Sequence, residues 1–117
     1  MESGHQNAER QRFARLLDEV AVHEGLTPTP IEGVQVYRRS EPQPRCPKIY
    51  HPNILFVGRG RKWAYVGGQV YTYDPFNYLV SSVTLPVECE AVASPEDPVL
   101  VVAIDVDPTM LAELILE

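Results

Sequence analysis

The sequence predicts a mainly β protein, an antiparallel barrel or sandwich with one helix before the sheet and one after it. Three observations predict this. From residue 34 the apolar pattern changes from helical period to period two. About seven short strand-like segments then follow one another with turn residues, and no helical stretch, between them. Finally, Gly67-Gly68 separates "RKWAYV" from "QVYTYD". That is a strong two-residue hairpin signal, because both turn positions need positive φ.

Residues 7–24 read as a helix whose apolar stripe is Phe13, Leu16, Leu17, Val20 and Ala21. Arg15 is spaced to pair with Asp18 and Glu19. Gly25 is a natural stop, with Leu26 placed for the hydrophobic contact of a C-terminal cap. In "LTPTPIEG" the prolines forbid helix and favour an extended connector. "VQVYR" is a first strand. "EPQPRCPKIYHP" holds four prolines and reads as a loop or ragged edge rather than a central strand. "NILFVGRG" is a strand ending at glycines, and Asp74-Pro75 marks a turn after the hairpin. "NYLVSS", "LPVECEAV" and "VLVVAIDVD" complete the strands, with "SPEDP" breaking the last two apart. "DPTMLAELILE" opens a second helix, with Asp107 as N-cap, Pro108 in the first turn, and Met110, Leu111, Leu114 and Ile115 as its stripe. With no capping glycine or polar tail after "LILE", the chain reads as part of a longer protein.

The 117 residues suit one domain with a real core and no need of disulfide staples. Apolar residues make up 44% and charged ones 22%, as in ordinary globular proteins, and no apolar run is long enough to cross a membrane. The N-terminus lacks a secretory signal, so a cytoplasmic setting is the expectation. Cys46 and Cys89 are far apart in sequence and read as two reduced thiols. The net charge of −6 argues against nucleic-acid contact by this segment. All ten bases precede Trp63, and seven of them lie between Arg38 and Lys62. These are either guards of sheet edges or a basic rim that attracts anions.

The hairpin decides which side chains share a face. It sets Val66 opposite Gln69 and Tyr65 opposite Val70. One face then carries Lys62, Ala64, Val66, Gln69, Tyr71 and Tyr73, and the other Arg61, Trp63, Tyr65, Val70, Thr72 and Asp74. Both are mixed, so alternation alone does not say which looks inward. The three histidines are too few for a multi-imidazole metal barrel, and only His51 lies in the sheet region, with Glu88 or Glu90 as its conceivable carboxylate partners. No G-x-S-x-G elbow is present, and "GRGRK" lacks the spacing and ending of a phosphate loop.

The runs "GRK", "GGQVYTYD", "YLVSSVTLPV" and "VDPTMLAELILE" together resemble the N-terminal domain of AraC-type bacterial transcription regulators, over roughly residues 10–117. The resemblance implies a cupin-like β-barrel that senses a small-molecule effector and takes part in homodimerisation in the full-length protein, and the histidine count makes that barrel metal-free. It divides the chain into a helix and tail (1–26) and an effector-binding domain (27–117). It also implies a C-terminal helix-turn-helix domain, missing here, that binds promoter DNA. No cofactor, membrane or enzymatic activity is implied. The resemblance further places Ala64, Val66, Tyr71 and Tyr73 on the inward face, and Lys62 with them. These five are the expected ligand-binding residues, with Lys62 either snorkelling to the rim or receiving a carboxylate or phenolate. Trp63, Tyr65 and Val70 then form an outer patch to be covered by the first helix or by a second subunit. One departure is Phe76, where the family pattern has glycine; it is expected to disturb the turn and to plug part of the barrel mouth. The competing readings are a metal-dependent cupin enzyme and a purely dimerising domain with a filled interior.

Overall fold

The computed structural model describes residues 4–107 and Thr109. Among the described residues, helix α1 (Gly4–Val20) is followed by nine strands. These are β1 (Gly25–Pro28), β2 (Val34–Arg39), β3 (Gln43–Tyr50), β4 (Asn53–Arg59), β5 (Arg61–Val66), β6 (Gln69–Tyr73), β7 (Leu79–Ser81), β8 (Leu85–Val92) and β9 (Val99–Asp105). They form two antiparallel sheets, one in the order β1-β2-β9-β4-β7 and the other in the order β3-β8-β5-β6. Of the two expected architectures the molecule is therefore the sandwich. The helix expected from Pro108 onward lies outside the described residues. At its edge the Thr109 N–H donates to the Asp107 carboxylate (2.9 Å), the bond expected of an N-cap.

Strand β9 is central in its sheet, between β2 and β4, and it is covered on both sides. That is why its sequence is a continuous apolar run rather than an alternation. Val99 and Val101 face the other sheet and join Val57, Ala64, Tyr73, Ala91 and Ala93 in the main core. Leu100 faces the opposite way and packs with Val36, Leu17 and Ala21 beneath α1. The helix ends at Val20, earlier than expected, because β2 caps it from outside. Arg38 Nε donates to the Ala21 carbonyl (2.6 Å), and its guanidinium pairs with Asp18. Asp18, spaced for Arg15 along the helix, is thus held by a tertiary partner.

The proline-rich segment is a strand after all. β3 lies at the edge of its sheet, where a missing N–H costs least, and Pro44 and Pro47 occupy exposed positions on it. Its pairing with β8 sets Gln43 opposite Ala91 and Cys46 opposite Cys89, so β3 has one extra residue between the two pairs. This bulge puts Gln43 and Cys46 on the same face although they are three apart. The connector before β2 is also drawn into the sheet, as β1 pairs with β2.

The Gly67-Gly68 hairpin has the expected register, Val66 with Gln69 and Tyr65 with Val70, and both glycines have positive φ (52° and 82°). Gly60 carries the chain from β4 in one sheet to β5 in the other at φ 88°. A Cβ at Gly60 would stand 2.8 Å from Val99 Cγ2 and 3.0 Å from Val99 Cα, whereas at Gly67 it would meet open space. Gly60→Ala is therefore expected to cost roughly 2 kcal/mol or more, from φ strain and the collision together. Gly67→Asn should stay within about 0.5 kcal/mol, since asparagine tolerates this turn position. Urea unfolding of the two variants measures both; equal losses would contradict this account of the sheet-to-sheet corner.

Candidate functional site

Between the sheets lies a cavity of about 290 Å³. Gln35 and Tyr37 reach it from β2, Asn53 and Leu55 from β4, and Val101, Ala103 and Asp105 from β9. The facing sheet contributes Gln43 and Tyr50 from β3, Lys62 from β5, Tyr73 from β6 and Cys89 from β8. Each comes from the inward set of its strand, so the site follows from the same alternation that builds the core.

Lys62 is the buried charged group of this site; Lys48 and Asp105 also border it but are exposed. It is only 8% exposed, and none of the ion pairs among the described residues involves it. Its ammonium lies 4.6 Å from the centroid of the Tyr37 ring and 6.0 Å from that of Tyr73. These ring faces attract a cation but do not neutralise it. Burial accordingly pulls the Lys62 pKa below its ordinary value.

The tyrosines around it are phenols, not phenolates. Burial raises the pKa of Tyr37, Tyr50 and Tyr73 alike, and the Tyr50 and Tyr73 hydroxyls share a hydrogen bond of 2.7 Å. Two acceptors remain unmatched. Gln43 Oε1 and Asn53 Oδ1 are buried without a hydrogen-bond partner, and both residues line the cavity. Buried polar atoms are almost always satisfied, so such a pair marks where donors belong. The interior thus offers a cation, two acceptors and aromatic walls in a space suited to a small molecule.

The five expected ligand residues are divided by the structure. Lys62 and Tyr73 line this cavity. Ala64, Val66 and Tyr71 line a separate recess of about 200 Å³ toward the hairpin end, where Tyr71 is 47% exposed. Tyr50 borders both spaces. The inward face therefore behaves as one surface near Lys62 and splays open toward the turn.

The outer patch differs from expectation in its cover. Helix α1 packs on β4 and β9, on the other sheet, and not over Trp63, Tyr65 and Val70. The chain's own charges dress Tyr65 instead. The Arg45 guanidinium lies 3.8 Å from its ring centroid, and its hydroxyl donates to Glu90 (2.6 Å). Arg45 also pairs with Glu88 at 2.8 Å. Glu88 and Glu90 are thus engaged on the outer surface, whereas His51 borders the cavity, and the three are not brought together. Among the described residues no group of three or more His, Cys, Asp or Glu side chains is placed to hold a metal ion.

Phe76 does not plug the mouth. It is 68% exposed, outside the sandwich, with the Arg10 guanidinium 4.3 Å from its ring centroid. Its turn needs no glycine, because Asp74 Oδ1 accepts the Phe76 N–H (2.8 Å) and no described non-glycine residue has positive φ. The basic segment divides likewise. Arg38, Arg45 and Arg59 pair with carboxylates, and Arg39 donates to the carbonyls of Glu41 and Pro42. Only Lys48 and Lys62 among these bases border the cavity.

The sequence reading did not place Gln43, Asn53, Tyr37, Tyr50 or Cys89 in the site. The available signal was parity along β2 and β8; along β3 it was hidden by the bulge.

Residues 30–117 match the family model described as the AraC-type transcriptional regulator N-terminus. The chain belongs to this family. Comparison with curated proteins and with solved structures finds no significant match. In this AraC-type regulatory domain, the two sheets enclose the Lys62 cavity described above, and no helix among the described residues is long and apolar enough to cross a membrane.

Replacing Lys62 with methionine keeps the stem and removes the charge. The sign follows from its lowered pKa. An ionised lysine disfavours the folded state below its folded pKa, and the penalty fades as pH rises from that value toward the unfolded one of about 10.4. Lys62→Met should therefore raise Tm near neutral pH by about 3–6 °C, the shift that roughly 1 kcal/mol gives a domain of this size. The gain should shrink steadily toward pH 10. Differential scanning calorimetry across that range checks it; a variant less stable than the parent would show that Lys62 is paired after all.

Proposed function

We propose that this domain is the effector sensor of an AraC-type regulator. In this reading a small molecule occupies the cupin-like interior, without a metal, and places a carboxylate or phenolate against Lys62. Its hydroxyl or amide donors meet Gln43 Oε1 and Asn53 Oδ1. The single observation that carries the reading is the buried ammonium that forms no ion pair among the described residues, beside two unmatched acceptors, in a cavity open to a ligand. Each of the three loses hydration on folding, and one polar ligand would recover all three interactions.

The remaining roles rest on the family. Occupancy would shift the domain between two states and so act on a DNA-binding half outside this chain, by differential affinity for those states. In the full-length protein the domain would act as a homodimer in the cytoplasm, with Trp63, Tyr65 and Val70 available as an outer contact surface and Val70 54% exposed. Promoter DNA would be met by the other half, in keeping with the net charge of −6 here.

A thermal-shift screen with aliphatic, aromatic and sugar acids and their uncharged amides tests this. A true effector present at one hundred times its Kd adds about 2.7 kcal/mol of stability. Acids should stabilise and their amides should not, and Lys62→Met should weaken binding at least about tenfold, the loss of one charge-assisted contact. If the full-length regulator responds to an inducer that neither binds this domain nor depends on Lys62, the sensor lies elsewhere.

A further inference from the structure

We infer that Cys46 and Cys89 form a reversible disulfide across β3 and β8, making the cavity wall a site of oxidative modification. The two residues are direct partners in the antiparallel register. Such partners have Cα atoms about 4.5 or 5.5 Å apart, and both values fall inside the window of about 4.4–6.8 Å that a disulfide accepts. Directly opposed residues also project their side chains to the same face. A shared neighbour shows that both sulfurs lie on the same side of the sheet. The Gln43 amide nitrogen stands 3.3 Å from Cys46 Sγ and 3.3 Å from Cys89 Sγ, donating to both. It is the β3 bulge that brings Gln43 and Cys46 to one side, so the arrangement is built into the strand and not left to side-chain rotation. Both cysteines are free thiols in the structure.

The surroundings assign an order to the steps. Cys46 is partly exposed and meets a small oxidant from solvent first, whereas Cys89 is 1% exposed, faces the cavity and is the resolving partner. With hydrogen peroxide as oxidant, Cys46 loses its proton to solvent and its thiolate attacks one peroxide oxygen. The O–O bond breaks, hydroxide leaves and takes up a proton to become water, and Cys46 becomes a sulfenic acid. The Cys89 sulfur then attacks the Cys46 sulfur. The S–S bond forms, the S–O bond breaks, and the second water leaves with the Cys89 proton. Two thiols are oxidised and one peroxide is reduced to two waters. A dithiol reductant reverses the bond by exchange. Burial raises the Cys89 thiol pKa, which keeps that sulfur protonated until it meets its oxidised partner.

The test uses the wild-type chain, so it does not depend on a variant that folds. Reduced protein is treated with a small excess of hydrogen peroxide, quenched, and examined by intact mass, thiol titration and non-reducing tryptic mapping. The expected product is a single chain lighter by two hydrogens, with titratable thiols falling from two to none. The short peptide beginning at Cys46 should be joined to the one beginning at Trp63, and dithiothreitol should restore both thiols. The inference is overturned if the thiols persist, if each cysteine proceeds separately to sulfinic or sulfonic acid, or if the linkage is found only between chains.

Discussion

Lys62 holds an ammonium between two sheets, where an ionised group costs on the order of several kcal/mol unless something meets it. Among the described residues no carboxylate pairs with it. The stem leaves β5 beside Ala64, and the charge rests against the faces of Tyr37 and Tyr73. Two features of the fold make that possible. Core residues around β5 and β8 are small, Ala64, Cys89 and Ala91, which leaves space for long polar side chains from neighbouring strands. The Tyr50 and Tyr73 hydroxyls share a hydrogen bond, which orients these two phenols toward each other at the border of the space. A domain selected for stability alone would place a leucine or methionine at position 62.

The rest of the architecture keeps this interior from collapsing. β9 is fixed from both sides, by the opposite sheet through Val99 and Val101 and by α1 through Leu100. The helix is in turn tied to β2 through Arg38, which bonds the Ala21 carbonyl and Asp18. A rigid outer layer of this kind allows the inner faces to stand apart over one region while they pack closely elsewhere. Packing is closed where Tyr73, Ala91, Ala93 and Val99 meet, and it opens toward Tyr37, Gln43 and Asn53.

Much of this could be read from the residues. The Gly67-Gly68 turn sets the register of β5 and β6, and with it the fact that Lys62, Ala64 and Tyr73 share a face. The helix, the strand sequence and the family followed from periodicity and from a handful of runs. What escaped was non-local. Four prolines made residues 41–52 look like loop, because local chemistry does not reveal that a segment will find an edge on which to pair. The bulge then broke the parity that would have placed Gln43 and Cys46 together. The opposition of Cys46 to Cys89 depends on β3 meeting β8, a pairing of distant segments that no spacing announces. Of the two covers the sequence left open for the outer patch, the helix lies elsewhere for a similar reason. Its apolar stripe is visible in sequence, but the choice between two sheets rests on Leu100 and Val36, which offer an apolar outer surface, whereas Trp63 and Tyr65 lie among charges.

The proposed sensing role rests on an ammonium that is buried and, among the described residues, in no ion pair. The most direct measurement is the pH titration of the Lys62 side chain by NMR, following the carbon next to the ammonium in selectively labelled protein, without and with an acid that stabilises the domain. The expected result is a pKa clearly below about 10.4 in the free domain, returning toward or above it when the acid is bound. A free-state pKa at the ordinary lysine value, unmoved by any such acid, would contradict it.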